Sequence, residues 1–443
     1  MKVFRDVRRT LSVMAFMMAT PVFMQAQGSD VTGSQTSAGP GEYLSRTVRF
    51  SGWVRERWEA TDGPFSATPA SSYLLSQVRL GIQFQPSSWF TFFAQAQDAR
   101  AVFYGAVPGT TLSDPFDLRQ AWISVGRREG PGVRLQAGRQ ELALGSGRLL
   151  GSYDAFWANT SRTFDVLHGT ITGGTWKSEV VAGSVVQIDP NRMNRHKPGD
   201  HVYALYNTFS HILPGASVEP YFIARTLLGV TGKNGIAGDM DTLATGGRVI
   251  GKLAARFDYS VEAVHEFGSY ANDRLDATAL AAGAGWVIMQ GRWKPRLSGD
   301  YAYASGDDGR KNGIRGTFDN MFGFNQPTNS LTGQFGWKNI KNLRGGVEFF
   351  PLARLKVKVD GRNLWLASKA DGLYNAPGVR TVYNPNATSA HVGETVEMLS
   401  TVTVTRTTSI SFGVGTLFPG SYLRQSHKGD AFIYPLICLT QKF

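Results

Sequence analysis

The sequence has few of the features that hold soluble secreted proteins together. Cys438 is the only cysteine among 443 residues, which excludes a disulfide within the chain. Beyond residue 30, no stretch reaches the roughly 18 apolar residues that a membrane-spanning helix needs. Seven histidines are scattered along the chain, and none lies in a Gly-x-Ser-x-Gly or His-Glu-x-x-His setting. These absences argue against a disulfide framework, a helical membrane domain and an enzyme.

Other ligand-binding chemistry is also weakly represented. Four aspartates in the second half of the chain are candidate loop ligands for Ca²⁺, but solvated loop charges are the simpler interpretation: Asp239, Asp241, Asp307 and Asp308. Basic residues are spread over alternate positions and are not clustered on one helix, which argues against nucleic acid as a partner. We therefore predict no metal site, no cofactor and no nucleic-acid binding.

The N-terminus resembles an export signal. Four basic residues (Lys2, Arg5, Arg8 and Arg9) precede an apolar run from Leu11 to Phe23, and small or polar residues follow at 25–27. This pattern is typical of a secretory signal peptide, with an uncleaved anchor as the alternative. We predict a signal peptide over 1–26, a flexible lead-in over 27–46 and one domain over 47–443. The chain has 46 basic and 34 acidic residues; cleavage after Ala26 removes four and one of these, so the mature net charge is +9.

From Thr47 onward the sequence alternates with a period of two. In Thr47–Trp58 the even positions include Phe50 and Val54, whereas the odd positions include Arg55 and Arg57. The same alternation occurs in segments 72–85, 89–102 and 355–362. A period of two is typical of β-strands that have one apolar and one polar face.

Short and long connections alternate between these segments. The short ones are centred on 86–88, 128–132, 173–174, 213–216, 254–255, 293–294, 351–352 and 406–408. The long ones cover 103–115, 143–163, 188–199, 228–241, 306–341, 367–391 and 419–429, and 269–276 is of middling length. Outer-membrane barrels sort their connections in this way. The final segment, Asp430–Phe443, ends on an aromatic residue, as the last strands of such proteins do.

These patterns predict an all-β protein, a transmembrane antiparallel up-and-down β-barrel of about 18 strands. Short periplasmic turns and long extracellular loops would join the strands, in the outer membrane of a Gram-negative-type bacterium. Such a barrel encloses water unless loops plug it. One large barrel also needs no second copy, so we expect a monomer.

The polar faces of the strands are rich in arginine and lysine. A charge on the lipid face costs about 2–4 kcal/mol near the bilayer midplane, so we place these side chains in the lumen. Alternation assigns to the lumen Arg49, Arg55, Arg57, Arg79, Arg134, Arg225, Arg248, Arg296, Lys356, Lys358 and Arg362, with Gln77, Gln95, Gln136, Glu219, Glu262 and Asp300. Rings of arginine and lysine select anions. The carboxylates either weaken each anion contact or pair with the arginines and stiffen the wall.

Two patches resemble the alginate export family of outer-membrane barrels. The first contains Leu118–Ile123, Gly138–Leu142, Gly147–Gly151, Trp157–Asn159 and Arg162–Asp165, and the second is Tyr301–Asp307. The resemblance implies an 18-stranded barrel with an electropositive constriction that passively exports an anionic uronic-acid polysaccharide.

The same resemblance implies four candidate constriction or loop-root residues, Arg119, Arg139, Arg148 and Arg162, and makes Asp165 a partner for one of them. Alternation places Arg139 on the outward side of its strand. Either a β-bulge shifts the register there, or Arg139 lies beyond the hydrocarbon band. Val166 also departs from the family pattern, which often has glycine at that position.

Three functional hypotheses follow. The first is passive passage of an alginate-like polyuronate, with periplasmic polysaccharide-export proteins as candidate partners beside outer-membrane lipid. The second is a general or anion-selective porin for small anions and other small solutes. The third is an adhesion or structural anchor. The long connection 306–341 discriminates in part, because a loop folded into the lumen favours the first hypothesis and a projecting loop favours the third.

Overall fold

A computed structural model describes residues 47–61, 71–105, 108–152, 158–254, 256–323 and 330–443. The predicted signal peptide, the lead-in and Trp157 lie outside these described residues. Eighteen long strands make up the body of the fold. They are β1 (Val48–Thr61), β2 (Ser71–Ser87), β3 (Phe90–Val102), β4 (Asp114–Gly126), β5 (Gly132–Gln140), β6 (Phe164–Thr172), β7 (Trp176–Gln187), β8 (Arg195–Leu213), β9 (Ala216–Thr231), β10 (Ala237–Leu253), β11 (Phe257–Tyr270), β12 (Asp273–Val287), β13 (Trp293–Ala304), β14 (Ile340–Leu352), β15 (Leu355–Leu366), β16 (His391–Thr403), β17 (Thr408–Pro419) and β18 (Phe432–Lys442).

Each strand pairs antiparallel with the next, and the last pairs with the first. Strand β18 runs against β1 from Trp53 opposite Lys442 to Glu59 opposite Leu436. The amide of Gly52 donates to the carbonyl oxygen of Phe443 at 3.0 Å, and the reciprocal bond is 3.1 Å. The closed ladder leaves no sheet edge, which confirms the predicted barrel.

The connections divide between two ends, as predicted. The turn end carries 88–89, 127–131, 173–175, 214–215, 254–256, 288–292, 353–354 and 404–407, and the loop end carries the remaining connections. Three loop-end connections are shorter than expected: 188–194, 232–236 and 271–272 replace 188–199, 228–241 and 269–276. The reason is that β8 to β12 are long. Strand β8 has 19 residues, about twice the 9–11 that cross a bilayer, so these strands continue past the hydrocarbon band.

The two faces of the strands differ as the alternation predicted. Outward-facing apolar side chains are open to the surroundings, with Phe50 75% exposed and Val133 62% exposed. Inward-facing polar side chains are buried, and Arg79 is 1% exposed. The burial of arginine shows that the barrel interior is packed in this region.

The loop end also contains short secondary-structure elements. Ile314–Arg315 pairs parallel with β12, and Leu373–Tyr374 pairs with Arg380–Val382. A single helical turn, α1 (Ser421–Gln425), precedes β18. Within the described ranges, no helix has the length and apolar character needed to cross a membrane.

Two loops fold back into the barrel. The described parts of 141–163 and 305–339 contribute Leu150, Phe318, Phe322 and Trp337 to the main buried apolar cluster. Their partners in this cluster are inward-facing residues of the strands, including Val202. An apolar plug therefore fills part of the lumen near the loop end, where alternation alone had suggested water.

The seam between β1 and β18 gives a test of closure. A Cβ atom at Gly52 would overlap the Arg79 carbonyl oxygen and the ring of Phe443, whereas one at Gly345, also on the outward face, would meet nothing within 4 Å. We expect Gly52→Ala to destabilise the barrel by about 1–3 kcal/mol. Heat-induced unfolding followed by gel mobility should show a lower transition temperature for this variant than for Gly345→Ala. Equal transitions would show that the seam tolerates a methyl group.

Candidate functional site

Most lumen arginines lie beside a carboxylate of the same strand or of a strand close by. Arg225 Nη2 lies 3.0 Å from Asp200, Arg248 Nε lies 2.7 Å from Glu219, and Arg362 Nη1 lies 2.7 Å from Glu397. Further pairs are Arg57–Glu59, Arg296–Asp258, Arg344–Asp300, Arg344–Asp360, Lys356–Glu348 and Lys358–Asp360. The inner wall is thus largely neutralised by its own carboxylates.

A β-bulge directs Arg119 into the lumen. Gln95 pairs with Gln120 and Ala96 pairs with Leu118, so Arg119 is the extra residue of β4. Its guanidinium donates to Glu141 Oε1 at 2.8 Å and to the Ser161 backbone and side chain. A bulge commonly re-aims a side chain in this way.

Arg79 and Arg119 share one carboxylate at the root of the loop 141–163. Arg79 Nη1 lies 3.0 Å from Glu141 Oε1. Burial alone would raise the pKa of the Glu141 carboxyl, but Arg119 and Arg79 together hold it below its ordinary value. Both guanidinium groups thus converge on Glu141, and these contacts tie the loop to the wall.

Arg139 and Asp165 do not belong to the lumen set, which corrects the expectation from sequence. Strand β5 pairs with β4 and β6 without a register shift, so Arg139 shares the outward side with Val133 and Leu135. Its Nε donates to Asp165 at 2.8 Å across the strand pair. Arg139 is the penultimate residue of β5 at the loop end. Here it also donates to the Asn194 carbonyl oxygen at 3.0 Å, and it fastens the 188–194 connection to the wall.

The other two family-like arginines lie on the inward-folded loop 141–163. Leu150 forms a parallel bridge with Phe322 of the loop 305–339, so the two loops meet inside the barrel. Arg162 Nη1 donates to the Phe322 carbonyl oxygen at 2.8 Å. The guanidinium groups of Arg162 and Arg225 lie 5.7 and 4.7 Å from the centre of the Phe322 ring. Phe322 therefore holds two cations close together.

Arg162 differs from Arg148, the other arginine of the loop 141–163, in its electrostatic environment. Among the described residues, no carboxylate oxygen forms an ion pair with it. Burial, followed by repulsion from Arg225, lowers the pKa of Arg162 to about 10, and Asp200 and Asp319 only partly oppose this. The group stays charged at neutral pH and lacks a close counter-ion, so an incoming anion would complete its environment.

Arg148 occupies a similar position on the same loop. Its guanidinium packs 5.2 Å from the centre of the Trp337 ring, and its Nε lies 3.7 Å from Glu262 Oε2. Burial lowers the pKa of Arg148, although Glu262 and Asp300 oppose the shift. The Ser146 hydroxyl donates to the same Glu262 oxygen at 2.7 Å. Glu262 is therefore shared, and Arg148 is incompletely neutralised.

The remaining predicted lumen cations differ in setting. Arg55 Nη2 donates to the Ala158 carbonyl oxygen at 2.7 Å and so also fastens the loop 141–163. Arg49 is exposed near the turn end. Arg134 is half-buried and donates to the Thr170 hydroxyl at 3.4 Å. Within the ranges that the structure covers, neither Arg49 nor Arg134 has a carboxylate partner.

Inner-wall carboxylates hold the loop 305–339 as well. Glu266 Oε2 accepts the Asp319 amide at 2.8 Å, and Glu397 Oε1 accepts the Leu331 amide at 3.0 Å. Burial raises the pKa of the Asp319 carboxyl, but Lys338 and Arg225 outweigh it and bring the pKa below its ordinary value. The wall therefore uses its charges to fix the two loops in the lumen.

The two loops separate two cavities. A cavity of about 720 Å³ at the turn end is lined by Arg148, Lys252 and Arg344 among others. A cavity of about 700 Å³ at the loop end is lined by Arg162, Tyr104 and Tyr434 among others. The site is thus a narrowed lumen in which Arg148 faces one side and Arg162 faces the other. In the described part of the chain, no group of three His, Cys, Asp or Glu residues is arranged to hold a metal ion.

Sequence reasoning missed several parts of this arrangement. Arg344, which bridges two carboxylates, lies in a glycine-rich strand whose alternation is weak. Phe322 and Trp337 lie in a loop with no periodicity to mark them as inward-facing. The aromatic and glycine content of 316–337 is the only signal that the loop packs against something.

The closed 18-stranded barrel defines a class, that of outer-membrane channel-forming barrels. Residues 46–431 match the model of the family described as alginate export, and the chain belongs to this family. A comparison with curated proteins gave no match.

Solved structures with the same fold are distant in sequence. OccK2 (OpdF) of Pseudomonas aeruginosa, solved in complex with glucuronate, has 10% identity and a TM-score of 0.60 over 89% of this chain and 96% of that chain. OpdO of the same organism has 11% identity and a TM-score of 0.60 over 90% and 97%. OccAB4 of Acinetobacter baumannii has 11% identity and a TM-score of 0.59 over 90% and 98%. These likenesses establish the fold.

Removal of the Phe322 ring should loosen the plug. Truncation of a buried phenylalanine costs about 3–5 kcal/mol of packing, and here it also removes the surface beneath Arg162 and Arg225. We expect Phe322→Ala to raise single-channel conductance in a planar bilayer. Lys311→Ala, at an exposed position of the same loop, is the control and should conduct like the unmodified protein. Unchanged conductance in the Phe322 variant would mean that the ring does not narrow the lumen.

The contribution of ion pairs on the inner wall to stability can be tested at Arg248 and Glu219. Arg248→Met would leave Glu219 buried without its cation, at a cost of about 3–5 kcal/mol. We expect the double variant Arg248→Met/Glu219→Gln to recover much of this stability, because no charge is then left uncompensated. Urea unfolding in detergent micelles measures both. A double variant less stable than the single variant would contradict a purely compensating role.

Proposed function

We propose that this protein is a passive channel for an anionic polysaccharide, an alginate-like polyuronate that moves from the periplasm to the exterior. The observation that supports the proposal most directly is Arg162, a partly buried cation that, among the described residues, has no ion-pair partner and lies where the two inward-folded loops meet. Membership of the alginate export family supplies the substrate class.

The neutralised wall suits passage of a polymer. A lumen in which every arginine was free would hold a polyanion at many points and release it slowly. Here most strand arginines are engaged by carboxylates such as Glu219 and Glu397, and the loop arginines Arg162 and the incompletely neutralised Arg148 are left to attract the chain. A few favourable contacts give selectivity, whereas the paired wall keeps the shape of the bore.

A second candidate is a porin for small anions. The inward-folded loops restrict the lumen, and restriction favours solutes of the size of one sugar acid over a polymer. OccK2, whose structure was solved with glucuronate, has the same fold. The anchor hypothesis is favoured by a projecting loop, and the described part of 305–339 instead folds inward, which argues against that hypothesis.

The surroundings of the barrel follow from its geometry. The outward apolar face would contact outer-membrane lipid, with the turn end in the periplasm, where polysaccharide-export proteins are candidate partners. Closure within one chain is consistent with a monomeric barrel. No step in this proposal requires a cofactor or an energy source in the barrel.

Planar-bilayer recording of the full-length protein tests the proposal. We expect the reversal potential in a salt gradient to show anion preference, and micromolar polyuronate to block the current. Arg162→Gln combined with Arg148→Gln should weaken block by about tenfold or more, because charge-assisted hydrogen bonds contribute about 1.5–3 kcal/mol each. Arg406→Gln, in the exposed turn 404–407, is the matched control and should retain block.

The outcomes separate the candidate functions. Anion preference without block by the polymer would favour the small-anion porin. Cation preference would contradict both channel hypotheses, and the absence of conductance would leave the anchor.

A further inference from the structure

The cavity at the loop end has the surface chemistry of a sugar-binding site. It is lined by hydroxyl and amide side chains from three separate connections and from the ends of β1 and β7. These polar residues are Thr61, Thr110, Thr111, Asn159, Thr160, Ser161, Gln187, Thr332 and Gln334. Its volume of about 700 Å³ lies within the range of small-molecule sites, roughly 300–1,000 Å³.

Aromatic rings form one side of the same cavity. Tyr73 and Tyr104 contact edge to face with centroids 5.0 Å apart, and Phe432 and Tyr434 stack with centroids 6.4 Å apart. The Tyr73 hydroxyl donates to Glu59 at 2.8 Å, which fixes its ring. Rigid aromatic rings present an apolar face with a polar rim, and such a surface matches the C–H face of a pyranose.

The charges of this cavity leave one site for a carboxylate. Glu59, the acidic residue among the lining residues, is held by Arg57 Nε at 2.5 Å and by Tyr73. Lys197 is held by Asp200 at 2.9 Å. Arg162 has no ion pair among the described residues and lines the cavity together with Gly323. The cavity therefore offers one guanidinium group, many hydroxyl groups and a ring face.

The cavity at the turn end provides an internal comparison. Three of its four cations, Arg148, Arg296 and Arg344, lie beside the carboxylates of Glu262, Asp258 and Asp300, and Lys252 is the fourth. Its wall contains Ala281–Ala284 and Gly299. Tyr259 is the aromatic residue among its lining residues. This chemistry suits small ions and water, and it lacks the ring faces and the density of hydroxyl groups that a sugar would use.

We propose that the cavity at the loop end is a saccharide-binding site that takes a uronic-acid unit, with its carboxylate on Arg162 and its ring against Tyr104. The proposal rests on the proposed function for the class of ligand, but it adds a discrete equilibrium site on the exterior side of the narrowing. Recognition at this site depends on both the carboxylate and the sugar hydroxyls, so a simple inorganic anion is a poor substitute.

Isothermal titration calorimetry of the full-length protein in detergent micelles tests this assignment. The probes are a hexuronate trisaccharide, maltotriose as a neutral trisaccharide, and sulfate. We expect one saturable site for the hexuronate and at least tenfold weaker binding of the other two. Arg162→Gln should weaken hexuronate binding about tenfold, since it removes a charge-assisted contact, whereas Arg162→Lys should recover part of the affinity.

Two further variants locate the site. Tyr104→Leu keeps an apolar side chain but removes the ring face, and we expect about threefold weaker hexuronate binding. Lys252→Gln removes a cation from the other cavity and should leave the affinity unchanged. Gel mobility before and after heating confirms that each variant is folded.

Three results would overturn the assignment of this cavity as a saccharide-binding site. Absence of hexuronate binding, equal binding of maltotriose or sulfate, or an affinity that Arg162→Gln leaves intact would each exclude this site. The calorimetric test is independent of transport. If polyuronate blocks the channel in the bilayer but calorimetry finds no site, the proposed function is supported and the saccharide site is rejected. Saturable binding with no conductance would do the reverse.

Discussion

The structure depends on the requirement that every backbone polar group inside a bilayer has an internal partner. Strands satisfy this requirement only when the sheet closes on itself, and the pairing of β1 with β18 closes it. Once the sheet is closed, side chains point either to lipid or to the interior. The placement of charged residues follows from this alternation, because an arginine such as Arg79 on the apolar face would be costly.

Closure also brings many cations close together inside the barrel, where their charges repel one another. Ion pairs between strands offset most of this repulsion, as Arg248 pairs with Glu219 and Arg362 with Glu397. Paired charges stiffen the wall and hold the loops, but they contribute little attraction for a passing anion. The capacity to attract anions then lies with cations that the wall does not neutralise, chiefly Arg162.

The inward-folded loops divide the interior into parts with different chemistry. Phe322 of the loop 305–339 lies where the two loops meet, and the guanidinium groups of Arg162 and Arg225 pack near its ring. On the turn side the cavity has ion-paired arginines and small residues, whereas on the loop side it has tyrosines and hydroxyl groups. A lumen arranged in this way gives an anion different surroundings before and after the narrowing, which a uniform ring of arginines would not do.

The sequence by itself determined the architecture, because period-two alternation and the sorting of connections are local properties written along the chain. It also determined the inward face for residues such as Arg55, Arg225 and Asp300. Only the tertiary structure decided which of these are neutralised, because the partner of Arg362 lies 35 positions away and that of Arg79 lies 62 positions away. The bulge at Arg119, the outward position of Arg139 and the inward course of the loops likewise depend on register and packing between distant segments, for which no local pattern exists.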